Sequence, residues 1–338
     1  MSGGVDSSVA ALLLKKKGYE VCGVTMKLHD DKKVLNEIND AKNVAKILGI
    51  EHMVLDLSKE FKEKVIDYFV SEYVRGKTPN PCVVCNKYIK FGKMLEFAKQ
   101  NGFDFIASGH YAEVLYDEKI NKFIIKRSNE KKDQSYVLFN LKQEDLSRVL
   151  FPIEGLLKSE IRKIAKDNNL PVAQKAESQE ICFIKDNNYV GFIKKYTNKD
   201  FKAGDFKDKS GNVLGKHLGI INYTVGQRKG LGMAFGKPMY VNFIDHLKNE
   251  IILGEEGSQY SDELIAENVN FITFDKLLKD MEVLAKVRYK APLAKAKLIP
   301  IDDNRVKVKF YEKQRAITPG QAVVFYDDDI LLGGGIIV

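Results

Sequence analysis

Apolar and polar positions along the first hundred residues alternate between two periods. "VAALLLKKKG" is an apolar run that ends in charge and then glycine, which predicts a helix closed by Gly18. "EVCGVTMKL" reads as a strand, "VLNEINDAKNVAKILG" as an amphipathic helix ending at Gly49, and "EHMVLDL" as a second strand. The helical pattern "SKEFKEKVIDYFVSEYV" follows, then the Pro-containing stretch "RGKTPNPCVVCN", the helix "KYIKFGKMLEFAKQNG" and the strand "FDFIASGHY". A strand–helix alternation of this kind predicts a parallel sheet covered by helices, with ligands at the carboxyl ends of its strands.

The pattern changes at Ala112. "AEVLYDEKINKFIIKRS" predicts a hairpin, "SEIRKIAKDNNL" a helix ending before Pro171, and beyond about Asn187 the helices are expected to give out. "GNVLGKHLGIINYTVGQRKGLG", "KPMYVNFIDHLKNEIILG" and the last sixty residues read as short strands punctuated by glycine, the signature of small barrels or sandwiches. Domain boundaries are therefore expected at 1–190, 191–258 (β-rich) and 259–338 (β-barrel).

Composition adds little to this picture. With 338 residues, 44% hydrophobic and 30% charged, the chain is an ordinary globular one. It carries no apolar run of membrane-span length and no signal-peptide layout, so a cytoplasmic protein is expected. A formal charge of +8 suits a polyanionic partner. Four cysteines are too few for a disulfide scaffold in so long a chain.

Candidate chemistry lies at the very start, in "MSGGVDSS". Gly3 and Gly4 let backbone N–H groups converge on an anion, and the helix that follows favours negative charge at its N-terminus. Ser2, Ser7 and Ser8 add hydroxyls, and Asp6 is a candidate magnesium ligand. No lysine follows the glycines, so the loop is not the G-x-x-x-x-G-K-[ST] type. Cys82 and Cys85 form a C-x-x-C before a helix, whose N-terminus is expected to lower a thiol pKa. Cys182 lies far off in "SQEIC", and Cys22 reads as a core residue. One C-x-x-C falls short of the two pairs of a zinc site. A zinc or iron–sulfur reading, with His110 or an acidic group as fourth ligand, stays open behind the thiol one.

Together "SGGVDSS", "GVTMKL", "TPNPCVVCNKYIKFG", "ASGHYA", "KDQSYVL", "ESQEICFI", "YTVGQRKGLG" and "TPGQAVVFY" resemble the tRNA-specific 2-thiouridylases, the MnmA/TrmU family, in order along the whole chain. The resemblance implies an α/β N-type ATP-pyrophosphatase (PP-loop, adenine nucleotide alpha hydrolase-like) domain, a small central β-rich domain and a C-terminal β-barrel. It implies ATP held by Met1, Ser2, Gly3, Gly4, Val5, Asp6 and Ser7, with Met26 and Gly109 beside the nucleotide. It makes Cys85 the nucleophile and Cys182 the persulfide carrier. Asn80, Pro81 and Cys82 would meet the target base. His110, Lys132, Asp133, Gln134, Arg288, Tyr289 and Gln321 would meet the tRNA anticodon stem-loop.

The implied reaction adenylates the C2 oxygen of the wobble uridine in tRNAs for Lys, Glu and Gln. Sulfur then arrives from a persulfide loaded by a donor protein, a cysteine desulfurase or a relay, and a Cys85–Cys182 disulfide is left for a reductant to reopen. Two departures from the family stand out. Cys82 occupies a place where many relatives have Asp, and a strand of about ten residues before the loop is absent, so the first strand is expected to be missing through a late start or a truncation. Two alternatives remain: another ATP pyrophosphatase that adenylates a carbonyl, or a catalytically dead RNA-binding module.

Overall fold

Helix α1 (Val5–Lys16) begins directly after Gly4 and buries Val5, Val9, Ala10, Ala11, Leu12 and Leu14. Nearly continuous apolar content means that it is covered on more than one side. The computed structural model describes residues 1–128, 132–175 and 181–338, apart from the Lys33 side chain. Packing divides them into two units: Met1–Val65 with Cys82–Phe183 and Asp329–Leu331, and Ile66–Pro81 with Ile184–Asp328 and Leu332–Val338.

In the first unit, β1 (Cys22–Lys27) and β2 (Glu51–Asp56) pair in parallel, joined by α2 (Lys32–Leu48). Asp31 caps α2 by accepting from the Val34 N–H at 3.0 Å, and Gly49 ends it in the left-handed conformation. The helix α3 (residues 58–74) contains a π turn at Lys62–Ile66 and crosses from the first unit into the second. The helix α4 (residues 81–100) starts at Pro81, earlier than the pattern "KYIKFG" suggested, and is π-helical over Asn86–Lys93. Proline is favoured in a first turn, where its missing N–H costs nothing.

The strand expected over "FDFIASGHY" shrinks to β3 (Ile106–Ala107). The Ile106 N–H donates to the Arg148 carbonyl and the Ser108 N–H to the Leu150 carbonyl, flanking the parallel pairing with β6 (Val149–Leu150). The predicted hairpin is present as β4 (Ala112–Asp117) and β5 (Lys122–Arg127), and β5 also pairs with Ile330 and Leu331. A short helix α5 (Gln143–Leu146) precedes β6, and α6 (Lys158–Asp167) follows it. The helices α1, α2 and α6 share one core, in which Val5, Val9 and Leu12 meet Val44, Tyr111, Ile153, Ile161 and Ala165.

The second unit corrects the expectation that helices end near Asn187. Asn188 accepts from the Gly191 N–H at 2.8 Å and caps α7 (Tyr189–Thr197). Tyr189, its first residue, packs on Tyr73 with ring centroids 4.8 Å apart, a contact between residues distant in sequence. The strands β7 (Gly204–Lys207), β8 (Val213–His217), β9 (Met239–Asp245) and β10 (Glu250–Glu255) form a sheet in the order 8-7-10-9. The stretch "YTVGQRKGLG" is loop rather than strand.

Six further strands, β11 (Tyr260–Phe271), β12 (Met281–Lys286), β13 (Ala294–Pro300), β14 (Arg305–Arg315), β15 (Ala322–Asp327) and β16 (Ile330–Ile337), close into a barrel through the β11–β16 pairing. Along β14, Val306, Val308 and Phe310 point inward, while Lys307 and Lys309 pair outside with Glu263 and Asp262. Those exposed pairs add little, and the barrel rests on its interior. Leu298→Ala, at a fully buried barrel position, should cost about 2–5 kcal/mol in urea denaturation. A loss below about 1 kcal/mol would mean that the interior recloses over the gap.

Candidate active site

The loop at the start of the chain is tightly specified. Gly3 has φ +65°, and a Cβ there would lie 2.5 Å from the Glu37 carbonyl oxygen, so only glycine fits without strain. Lys175 donates to the Gly3 carbonyl at 2.9 Å and pairs with Asp40 at 2.5 Å. In a trans peptide the Gly4 N–H then points the opposite way. The Ser2 N–H donates to Ser7 Oγ at 3.1 Å, and the Ser7 and Ser8 hydroxyls donate to the Gly4 carbonyl at 3.2 and 2.9 Å. The Met1 amino group donates to the Val24 carbonyl on β1, and its carbonyl accepts from Thr25 Oγ1 at 2.7 Å. Met26 lies near the carboxyl end of β1.

Asp6 Oδ1 accepts from the Tyr111 hydroxyl at 2.8 Å and from Lys158 at 2.5 Å. Gly109 sits against the same turn: a Cβ on it would meet Asp6 backbone at 2.8 Å and the Ser7 nitrogen at 2.9 Å. As a metal site Asp6 is incomplete. No group of three or more His, Cys, Asp or Glu among the described residues is placed to hold an ion. One carboxylate suits magnesium only in company with substrate phosphates, which is a common arrangement for that ion.

Three thiols gather in the same unit. Cys82 and Cys85 are three residues apart on α4, hence on one face. Cys182 senses the charge of both, and no disulfide joins any of the four cysteines. The expectation of thiols activated by a helix N-terminus is not met. Burial pushes the Cys85 thiol up to about 11 and Cys182 to about 12, and raises Cys82 as well. Cys82 and Cys182 keep open surface elsewhere on the residue, yet atoms packed around their sulfurs make burial the largest cause. Lys90 opposes the rise at all three. It stands five residues after Cys85, and a π turn of about 4.4 residues per repeat brings that spacing near one face.

His110 bridges the two halves of the site. Its backbone neighbour Gly109 packs on the loop, and its ring lies 5.5 Å from Phe91 and 5.6 Å from Phe151. Ser108 Oγ lies 2.7 Å from Nδ1. Burial and then Lys90 lower its pKa well below the ordinary histidine value, so the ring is neutral at pH 7. Asn86, also on α4, has a buried side-chain oxygen with no hydrogen-bond partner.

The residues expected at the tRNA divide between the units. In the first, Asp133 accepts from Ser135 N and Oγ at 3.0 Å each and pairs with Arg127, and Gln134 accepts from the Tyr111 N–H at 3.1 Å. Asp133 thus shapes its own loop, and Gln134 ties that loop to the Tyr111 backbone. Lys132 directly precedes Asp133 in that loop, and residues 177–180 of "ESQEICFI" lie outside the described residues.

In the second unit, Arg288 and Gln321 line a cleft of ≈ 360 Å³ together with Thr78, Thr224, Arg315 and Thr318. Gln321 donates to the Thr78 carbonyl at 2.7 Å and Arg288 to the Arg315 carbonyl at 3.0 Å. Tyr289 carries Lys286 over its ring at 5.7 Å. Asn80 and Pro81 belong to the segment that reaches this unit.

Sequence reading missed Lys90, Tyr111, Lys158 and Arg315. Lys90 and Tyr111 lie within motifs the sequence offered, "CNKYIKFG" and "ASGHYA", but a π register and a contact with Asp6 cannot be read from periodicity.

The three parts of the chain match three domain families in order. Residues 1–186 match the family described as "tRNA methyl transferase HUP domain", 190–255 the "tRNA methyl transferase PRC-barrel domain", and 261–337 the "Aminomethyltransferase beta-barrel domain". The fold and its site therefore define a HUP-domain protein carrying a PRC-barrel and a C-terminal β-barrel.

Among curated relatives, the "tRNA-specific 2-thiouridylase MnmA" of Clostridium acetobutylicum is 53% identical over all of this chain and 98% of its own length. Those of Caldicellulosiruptor saccharolyticus (52%) and Clostridioides difficile (50%) also align with the whole chain and with 96% of their own lengths. The chain belongs to the tRNA-specific 2-thiouridylase family.

A raised thiol pKa in the folded state stabilises the fold below the ordinary value of 9.0, and that contribution is lost as pH climbs through about 11. Alkylation of Cys85 by iodoacetamide should accordingly rise about tenfold per pH unit from 7 to 10 with no plateau. A plateau setting in between pH 9 and 10 would return the thiol to its ordinary value.

Proposed function

We propose that this chain is a tRNA-uridine 2-sulfurtransferase that uses ATP to convert the wobble uridine of its tRNA to 2-thiouridine. The observation that carries the reading is the Gly109–His110 pair. Gly109 packs on the anion-favouring loop, while His110 and the three thiols all feel the charge of Lys90. An adenylating site and a sulfur site thus share one unit. Other carbonyl-adenylating pyrophosphatases have no use for the second half, and a dead RNA-binding module has no use for either.

In this proposal the loop from Met1 to Ser7 holds the phosphates of ATP, with Met26 and Gly109 beside the nucleotide. The uracil C2 oxygen attacks the α-phosphorus; the bond to the β-phosphate oxygen breaks, and pyrophosphate leaves with the electron pair. Magnesium, where bound, would neutralise phosphate charge, with Asp6 as the residue to hold it. The terminal sulfur of a Cys182 persulfide then attacks C2, and AMP departs with the C2–O pair.

The Cys85 thiolate attacks Cys182 Sγ, which forms the Cys85–Cys182 disulfide and leaves the sulfur on the base as 2-thiouridine. A two-electron reductant restores both thiols. The persulfide is supplied by a donor protein, a cysteine desulfurase or a relay, in the cytoplasm. Asn80, Pro81, Cys82 and His110 meet the extruded base, because chemistry at C2 needs the base out of its stack. Lys132, Asp133, Gln134, Arg288, Tyr289 and Gln321 serve the anticodon stem-loop.

Cys85→Ser and Cys182→Ser should each abolish 2-thiouridine, read by mass spectrometry of tRNA nucleosides, while ATP–pyrophosphate exchange with cognate tRNA persists. Substantial thiolation by either variant rejects the two-cysteine relay, and absent exchange in the wild type rejects the adenylation. Arg288→Ala should weaken every cognate tRNA alike and lower the slope of log K against log salt by about 1. An unchanged slope would place Arg288 off the phosphates.

A further inference from the structure

The loop lacks the lysine that phosphate loops of the other type carry behind their glycines, and the structure delivers one from elsewhere in the chain. Lys158 is the first residue of α6, and its ammonium lies 2.5 Å from Asp6 Oδ1. The contact is fixed from both sides. The helices α6 and α1 share the core of Val9, Leu12, Ile161 and Ala165, and Tyr111 is packed into that core with its hydroxyl 2.8 Å from the same oxygen. The Lys158 ammonium stands 5.9 Å from the centre of the Tyr111 ring.

Two features make this lysine costly unless it serves a ligand. It occupies the first turn of a helix, where the dipole favours anions and opposes cations. Its side chain is only 14% exposed, so the charge is largely desolvated. Asp6 offsets part of that cost. Asp6 itself would repel a polyphosphate at the start of α1 if nothing neutralised it. An ammonium presents three donors and can bridge a carboxylate and a phosphate.

We propose that Lys158 is a phosphate-binding cation of the ATP site, reaching from α6 to the pyrophosphate held by the loop. The inference rests on the reading of that loop as the ATP site. As the bond between the α-phosphorus and the β-phosphate oxygen breaks, charge gathers on the leaving pyrophosphate, and the ammonium faces it without any proton being transferred. The Asp6 pairing holds the lysine in place when no nucleotide is present.

The experiment titrates ATP, AMP and inorganic pyrophosphate into the full chain by calorimetry, comparing wild type, K158Q, K158R and S7A. The proposal expects K158Q to lose at least tenfold in affinity for ATP and for pyrophosphate while AMP affinity stays within about twofold, with K158R recovering most of the loss. A merely structural lysine would weaken AMP and ATP alike, and that result overturns the proposal. S7A tests the underlying reading separately. If the wild type binds ATP but S7A binds it equally well, the loop is not the ATP site. If S7A loses affinity and K158Q does not, the loop reading stands and the role of Lys158 falls.

A second measurement needs no variant. Pyrophosphate, but not AMP, should slow acetylation of Lys158 by acetic anhydride in the wild type several-fold, read by peptide mass spectrometry. Equal acetylation with and without pyrophosphate would overturn the proposal, even if K158Q proved too unstable to assay.

Discussion

Gly109 lies so close to Asp6 and Ser7 that a single added carbon would meet backbone atoms at 2.8–2.9 Å. That approach fixes the end of β3 against the first turn of α1, and through Tyr111 two residues later it also fixes the Asp6 carboxylate. The residue between them, His110, is turned into an aromatic pocket of Phe91 and Phe151. Phe91 belongs to the helix that carries Cys82, Cys85 and Lys90. Three consecutive residues therefore set the relative positions of loop, carboxylate and thiol-bearing helix. Packing tolerances in a dense interior leave little freedom to shift one without the others.

Much of the first unit was legible because its signals are local. The alternation of strand and helix, the Gly49 cap and the hairpin at Ala112 each follow from a few adjacent residues, and the structure has all three. The family resemblance stands on eight short motifs in register, and relatives at about half identity over the full chain agree with it. What escaped was decided by contacts distant in sequence. The helix α7, beyond the point where helices were expected to end, packs through Tyr189 on the distant Tyr73. The strand before "SGHY" is cut to two residues because its partner β6 offers only two. The thiol pKa was misjudged because a helix N-terminus is visible in sequence, whereas the atoms that bury Cys85 are not. Lys158 lies 152 residues from its carboxylate, beyond the reach of any local pattern.

The packing around Cys85, at the end of the first turn of α4, has a companion effect on the sulfur it shields. A thiol whose pKa stands near 11 is ionised in about one molecule in ten thousand at neutral pH. Peroxide and stray disulfides react with the ionised form, so Cys85 at rest is insulated from oxidative injury by the same packing that slows its own chemistry. Irreversible over-oxidation, the ordinary fate of an exposed reactive cysteine, is thereby disfavoured between turnovers. Reactivity then has to arrive with whatever displaces those shielding atoms or accepts the proton, which makes idleness the safe state of this protein.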